Sequence, residues 1–182
     1  RLVLGNGVRV PLTRLFETQL DRAYDAIVGA TLFGEGVTFE PLDHLKLASD
    51  LLSFFHDRLK VFLRDQGIRH DIIDACLVLP GSDDLTLLVK RAEALAAFLK
   101  TDDGPNLLQG FKRANTILFQ AEAKDGVEYS FGADLKFAET GEERALFAAL
   151  DQAEAAITPA MKAEDFAGAM AAMARLRAPI DA

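Results

Sequence analysis

Few side chains in this sequence could carry chemistry by type and spacing. His70-Asp71 is the doublet with which metal-dependent phosphohydrolases hold a divalent cation, but such a centre needs further His and Asp ligands. The other histidines, His44 and His56, precede it without a ligand spacing, and Asp71 fits as a cap on the short helix that follows. Asp83-Asp84 and Asp102-Asp103 could ligate a cation, yet both pairs fall at helix boundaries, where turns and caps account for them. Gly34-Glu-Gly36 lacks the strand-loop-helix setting of a phosphate loop. Cys76 sits among Ile72, Ile73, Ala75, Leu77 and Val78 with no basic partner to lower its pKa, which reads as an inert core thiol in a reducing compartment. No catalytic residue and no metal ligand is expected from these spacings.

A different chemistry, the holding of a polyanion, is suggested by Phe55-His-Asp-Arg-Leu-Lys-Val-Phe-Leu-Arg-Asp-Gln-Gly-Ile-Arg-His-Asp-Ile-Ile-Asp-Ala75. Leu51, Leu52, Phe55, Leu59, Phe62 and Leu63 follow one apolar stripe of a 3.6-residue repeat. His56, Lys60 and Arg64, four apart, form a second stripe at its edge, with Arg58 off that line. Gly67 is a natural C-terminal cap, and Arg69 and His70 follow it. Further along, Lys112 flanks an apolar face, Arg113 falls on the polar face with Gln109, Thr116 and Gln120, and Asn115 lies within the apolar stripe beside Phe111 and Leu118. Solvated helix faces, and a structural tie for Asn115, account for each feature singly. The net charge of −8 excludes non-specific nucleic-acid binding over the whole surface but leaves room for a local basic patch.

The elements that must position these side chains are helical. The chain has 182 residues, half of them hydrophobic, with 13 Phe and no Trp. That is enough for one domain with a real core, and no apolar run is long enough to span a membrane. Arg1-Leu-Val-Leu reads as a last helical turn capped by Gly5-Asn-Gly7, and Ala178-Pro-Ile-Asp-Ala182 stops without a polar tail, as expected of a piece of a longer polypeptide. Pro11 suits a first helical position, with Leu12, Leu15, Phe16, Ala23 and Ile27 on one face until Gly29. Thr31 to Pro41 reads as a loop, followed by helices over about 42–66 and 70–79. Pro80-Gly81 ends the second, and Ser82 is placed to cap the next, lined by Leu85, Leu88, Ala92, Leu95 and Leu99. Asp102-Asp-Gly-Pro105 is a breaker before a helix through Leu107 and Leu118, and Lys124 to Glu139 is irregular. Thr140-Gly-Glu-Glu143 is a capping box, Pro159 interrupts the helix it opens, and a last helix buries Phe166, Ala169, Met170, Met173 and Leu176. The expectation is an all-α antiparallel bundle: residues 1–28 a leading helical segment, 29–42 a loop, and 43–182 a helical domain.

Taken together, several of these segments resemble the β subunit of bacterial tetrameric (α2β2) glycyl-tRNA synthetases, in its C-terminal region. They are Arg1-Leu-Val-Leu-Gly-Asn-Gly-Val-Arg-Val-Pro-Leu12, the Phe55–Ala75 stretch, Asp83-Asp-Leu85, Arg91-Ala-Glu-Ala-Leu95, Lys112-Arg-Ala-Asn-Thr-Ile-Leu118 and Leu176-Arg-Ala-Pro-Ile-Asp-Ala182. In that family the last motif leads into a short Phe- and Val-rich tail that this sequence lacks. The resemblance implies a helical anticodon-binding domain similar to those of arginyl- and cysteinyl-tRNA synthetases. It implies a cytoplasmic glycine–tRNA ligase whose ATP and Mg belong mainly to the α subunit, with no cofactor and no adenylate-forming centre in this stretch. The implied partners are tRNA-Gly, the α subunit and the rest of the β subunit, and no membrane. Anticodon bases can be splayed, stacked and read along their edges while cations hold the backbone. Arg58, Lys60, Arg64, Arg69, His70, Lys112 and Arg113 are the expected tRNA contacts. The acidic C-terminal third, with Glu142, Glu143, Asp151 and Glu154, is expected to face away from RNA. The alternatives are a structural or subunit-contact helical module of the same synthetase, and a phosphohydrolase-type centre at His70-Asp71.

Overall fold

The computed structural model describes residues 2–31, 43–130 and 132–181, and every regular element in them is helical. The expected loop begins at residue 29 and includes Thr31, but α2 continues through Gly29 to Thr31, and the rest of that loop, residues 32–42, lies outside the described residues. The chain falls into two compact units, Arg1–Glu93 and Ala94–Ala182.

The first unit holds α1 (Leu2–Gly5), α2 (Leu12–Thr31), α3 (His44–Asp65), α4 (His70–Leu77) and most of α5 (Leu85–Phe98). Both expected glycine caps are formed. Gly67 has φ +82°, its N–H donates to the Arg64 carbonyl at 2.9 Å, and Ile68 N–H reaches back to the Leu63 carbonyl at 3.1 Å. Gly7 closes α1 by the same pair of bonds, from Gly7 to Leu4 and from Val8 to Val3. A left-handed residue is needed at both places, and glycine adopts that conformation without strain. Most of the buried side chains are large: Leu59 and Leu63 on α3, Ile68 after it, Ile72, Ile73 and Cys76 on α4, and Leu88 on α5, with Ala48 and Ala92 the small ones. Burial pushes the Cys76 thiol pKa up and outweighs the charge of Arg91, so the thiol behaves as a core residue.

The segment between α4 and α5 ties this unit together. Leu12 N–H donates to the Asp83 carbonyl, Thr86 Oγ1 to the Val8 carbonyl, and Arg91 Nη1 to the Pro80 carbonyl. Arg9 pairs with Asp84 at 2.5 Å. The cap of α5 is Asp84, whose Oδ1 accepts the Leu87 N–H, rather than Ser82. Ser82 instead offers its carbonyl to His56 Nε2 at 2.8 Å.

The second unit holds the end of α5, α6 (Asp103–Asp125), a 3-10 turn at Leu135–Phe137, α7 (Gly141–Lys162), α8 (Phe166–Ala174) and α9 (Arg177–Asp181). α7 packs on α8 and α9, and α6 packs on both as well. Here the buried side chains are small: Ala96, Ala138, Ala153, Ala169 and Ala172, with Met170 the one large exception among the described residues. The expected breaker at 102–105 is the first turn of α6, since a proline costs nothing where no intrahelical N–H bond is due. Pro159 does not interrupt α7, which runs on to Lys162. It is exposed, so water can satisfy the carbonyl one turn back that its missing N–H leaves unpaired.

The capping box forms as expected. Thr140 Oγ1 accepts the Glu143 N–H at 3.1 Å, and Glu143 Oε2 accepts the N–H groups of Thr140 and Glu139 at 3.0 and 2.7 Å. These backbone donors hold the Glu143 carboxyl below its ordinary pKa. A depressed folded-state value adds stability above the unfolded value near 4.5 and loses it as pH falls through the folded value. Glu143→Gln is therefore expected to melt lower than the parent near neutral pH, with the two converging as pH falls through the carboxyl's depressed folded-state value. Thermal melts across that range check it, and a gap that persists in acid would show that the charge is not what matters.

Candidate nucleic-acid interface

The seven expected contacts are placed on several different faces. Lys60 turns toward α4, with Nζ 3.0 Å from Asp74 Oδ1. Arg69 is occupied by its own neighbour, with Nη2 2.5 Å and Nε 3.1 Å from the two Asp71 oxygens. Arg64, His70 and Lys112 are exposed, and no described side chain pairs with them. Arg113 lies in the second unit, in a polar notch with Asn106 and Gln109, where it shares Asp181 with Arg177 at 3.7 and 3.5 Å.

Asp71 is within the first turn of α4 rather than ahead of it, and its Oδ1 accepts the Ile72 N–H at 3.0 Å. Desolvation acts to raise its pKa, but the bonds and charge of Arg69, with the Ile72 N–H, hold the carboxyl below its ordinary value. Among the described residues no three His, Cys, Asp or Glu side chains gather to hold a metal ion, and the side chain of His44 is outside them. The convergence that a phosphohydrolase centre at His70-Asp71 requires is not present there.

Arg58 lines a larger cavity than the notch that holds Arg113. This groove, of about 700 Å³, lies wholly within the first unit and has walls from α1, α3 and α5. Helix α3 contributes Phe54, Phe55, Arg58, Leu59 and Phe62, and Gln66 follows as its C-terminal cap. Helix α5 contributes Leu85, Thr86, Val89, Lys90 and Glu93, and α1 contributes Val3 and Leu4. Phe54 is 52% exposed and Phe62 37%. The Arg58 guanidinium lies over the Phe54 ring, 5.2 Å from its centroid. Phe54 meets Phe55 edge-on at 5.7 Å, and Phe55 stacks on Phe16 of α2 at 5.6 Å. The groove thus has a braced aromatic floor and polar groups at its rim.

Phe54, Lys90 and Glu93 were not among the expected contacts. The signal that could have found the α3 side of the groove is the spacing of Phe54, Arg58, Phe62 and Gln66 at i, i+4, i+8 and i+12. The cationic stripe at 56, 60 and 64 draws the eye instead, and it faces elsewhere: His56 holds the Ser82 carbonyl and Lys60 holds Asp74.

No family model matches the chain. Along its full length the chain is 78% identical to the glycine–tRNA ligase beta subunit of Cereibacter sphaeroides, 71% identical to that of Paracoccus denitrificans and 49% identical, over 183 aligned positions, to that of Rhodospirillum centenum. It spans about a quarter of the length of these relatives, covering 24%, 23% and 23% of them. The resemblance to the C-terminal region of glycine–tRNA ligase β subunits thus extends over the whole of the chain.

Proposed function

We propose, from a chain that matches glycine–tRNA ligase β subunits throughout its length, that these residues bind tRNA-Gly and read its anticodon for the ligase. The observation that carries the reading is the full-length match at 78% identity to a protein of that name. In this reading the intact enzyme joins glycine to its tRNA using ATP and Mg, which are held by the α subunit. The present chain supplies recognition, in an α2β2 assembly in the cytoplasm. Arg64, with no described side-chain partner, and Arg58, over an aromatic ring, support it as cations available to RNA. Lys60 and Arg69 are less available, because each would first have to give up a carboxylate.

The test is binding of tRNA-Gly, and of the same tRNA with a substituted anticodon, to the full-length β subunit with its α partner, titrated in salt. The glycine anticodon is expected to be preferred. Arg64→Glu should weaken both tRNAs and lower the slope of log affinity against log salt by about one. Arg64 is a cleaner probe than Lys60, whose reversal would set a carboxylate against Asp74. Absence of tRNA binding by the parent would overturn the reading, and unchanged affinity of Arg64→Glu at low salt would remove α3 from it.

A second reading is favoured by one observation in the second unit. Leu108, Phe111, Leu118 and Phe119 lie along one face of α6 and are 41–66% exposed. Such a face suits packing against the rest of the β subunit or the α subunit, as a subunit-contact module would.

A further inference from the structure

We propose that the groove walled by α1, α3 and α5 is the seat of the β-subunit segment preceding Leu2, which continues α1 backward as a longer helix and lays its apolar face between Phe54 and Phe62. The occupant is part of the same polypeptide, whether or not tRNA is bound elsewhere.

The walls suit an amphipathic helix. Phe55, Leu59, Leu85 and Val89 make the lining mainly apolar, and along it Phe54 and Phe62 are 52% and 37% exposed. Aromatic rings left open in a concave apolar surface gain free energy from any apolar cover. Arg58, Gln66, Lys90 and Glu93 complete the lining, where the polar flanks of a helix laid in a groove would meet them.

Helix α1 identifies the occupant. It has four residues and gives the groove Val3, Leu4 and Gly5. A single turn fixes several dihedrals for one hydrogen bond and is unstable alone. Yet it ends in a complete helix terminator: Gly7, at φ +61°, donates to the Leu4 carbonyl, and Val8 N–H donates to the Val3 carbonyl. That closure suits the end of several turns. The chain matches the C-terminal region of relatives and covers 24% of the Cereibacter sphaeroides protein, so about three quarters of such a β subunit lies outside it. Continuing α1 backward keeps one stripe toward the groove, since the position before Arg1 is three from Val3 and four from Leu4. The α3 wall from Phe54 to Gln66 is about 18 Å long, which about three helical turns would cover.

Tethering favours this segment over a separate molecule. Thr86 Oγ1 donates to the Val8 carbonyl, Leu12 N–H donates to the Asp83 carbonyl, and Arg9 pairs with Asp84, so the exit from α1 is fixed beside the start of α5. A segment attached there has an effective concentration on the order of millimolar and loses little further translational freedom on docking.

The test uses the full-length β subunit with its α partner. Phe62→Cys is combined with one cysteine placed in turn at each of about eight positions before Leu2, roughly two helical turns, and disulfides are mapped by mass spectrometry after mild oxidation. Positions three or four apart are expected to link within the chain, and those between them to fail. With Phe62→Cys alone, the new thiol is expected to react with a soluble reagent at least about tenfold more slowly than in the unfolded subunit. Gln66→Cys, exposed at the end of the same groove, carries the same scan if Phe62→Cys disturbs folding. Absence of a link from every position would overturn the assignment, whatever the labelling rate. Links from all positions alike would overturn it too, by showing a loose tether in place of a helix. Links to the α subunit or to a second β subunit would make the groove an intermolecular contact, and protection that arises only on adding tRNA would make it an RNA site; either result overturns the assignment.

Discussion

Gly104→Ala is expected to cost the second unit about 3 kcal/mol, because the added methyl has nowhere to go. A Cβ on Gly104 would lie 2.6 Å from Leu99 Cα and 2.7 Å from the Phe98 carbonyl oxygen, both backbone atoms. Neither can rotate aside as a side chain would. The Phe98 oxygen is also already held, accepting from Thr101 N–H at 3.0 Å and Thr101 Oγ1 at 2.7 Å. The close approach of α6 to the end of α5 therefore requires the absence of a side chain, although alanine is ordinarily the better helix former by about 1 kcal/mol. Urea unfolding followed by circular dichroism, with hydrogen exchange of the α6 amides, would register the loss. A variant as stable as the parent would mean that this turn opens without penalty.

Leu63→Ala is the corresponding experiment in the first unit, with an expected cost of about 3 kcal/mol. Leu63 is fully buried on α3, and its carbonyl accepts the Ile68 N–H that closes the helix. Truncation leaves a cavity whose surroundings are pinned by the Gly67 cap and by α4, so little collapse can refill it. Leu45, on the same helix and 70% exposed, supplies the control: Leu45→Ala should change stability by no more than about 0.5 kcal/mol. Equal effects at both positions would contradict the assigned face of α3.

The features legible in the sequence were those governed by a few neighbouring residues. The Gly67 and Gly7 caps, the Thr140–Glu143 box and the helical periodicity of α3 depend on interactions spanning five residues or fewer, and all are found. The misread boundaries were decided by something further away or by solvent. Asp84 rather than Ser82 caps α5 because the helix begins at Leu85, which puts Asp84 at the capping position, while the Ser82 carbonyl is engaged by His56, 26 positions earlier. Pro159 stays inside α7 because the surface there is wet. Periodicity identified an apolar face on α6 but could not say what covers it, and Phe111 and Leu118 are exposed. The same limit applies to the candidate site. Charge spacing picked out Lys60 and Arg69, yet only the folded chain shows that acids from positions 74 and 71 already hold them. The groove needed α1, α3 and α5 to be brought together, which no single segment encodes.

The His56–Ser82 contact has a spectroscopic consequence. A carbonyl offers only lone pairs, so the ring atom facing it at 2.8 Å must carry the proton, and the neutral imidazole is the Nε2–H tautomer. A hydrogen-bonded, half-buried ring proton is shielded from exchange with water. It should give a separate, slowly exchanging resonance downfield of the amides, a single-proton marker for whether α3 and the loop before α5 are docked.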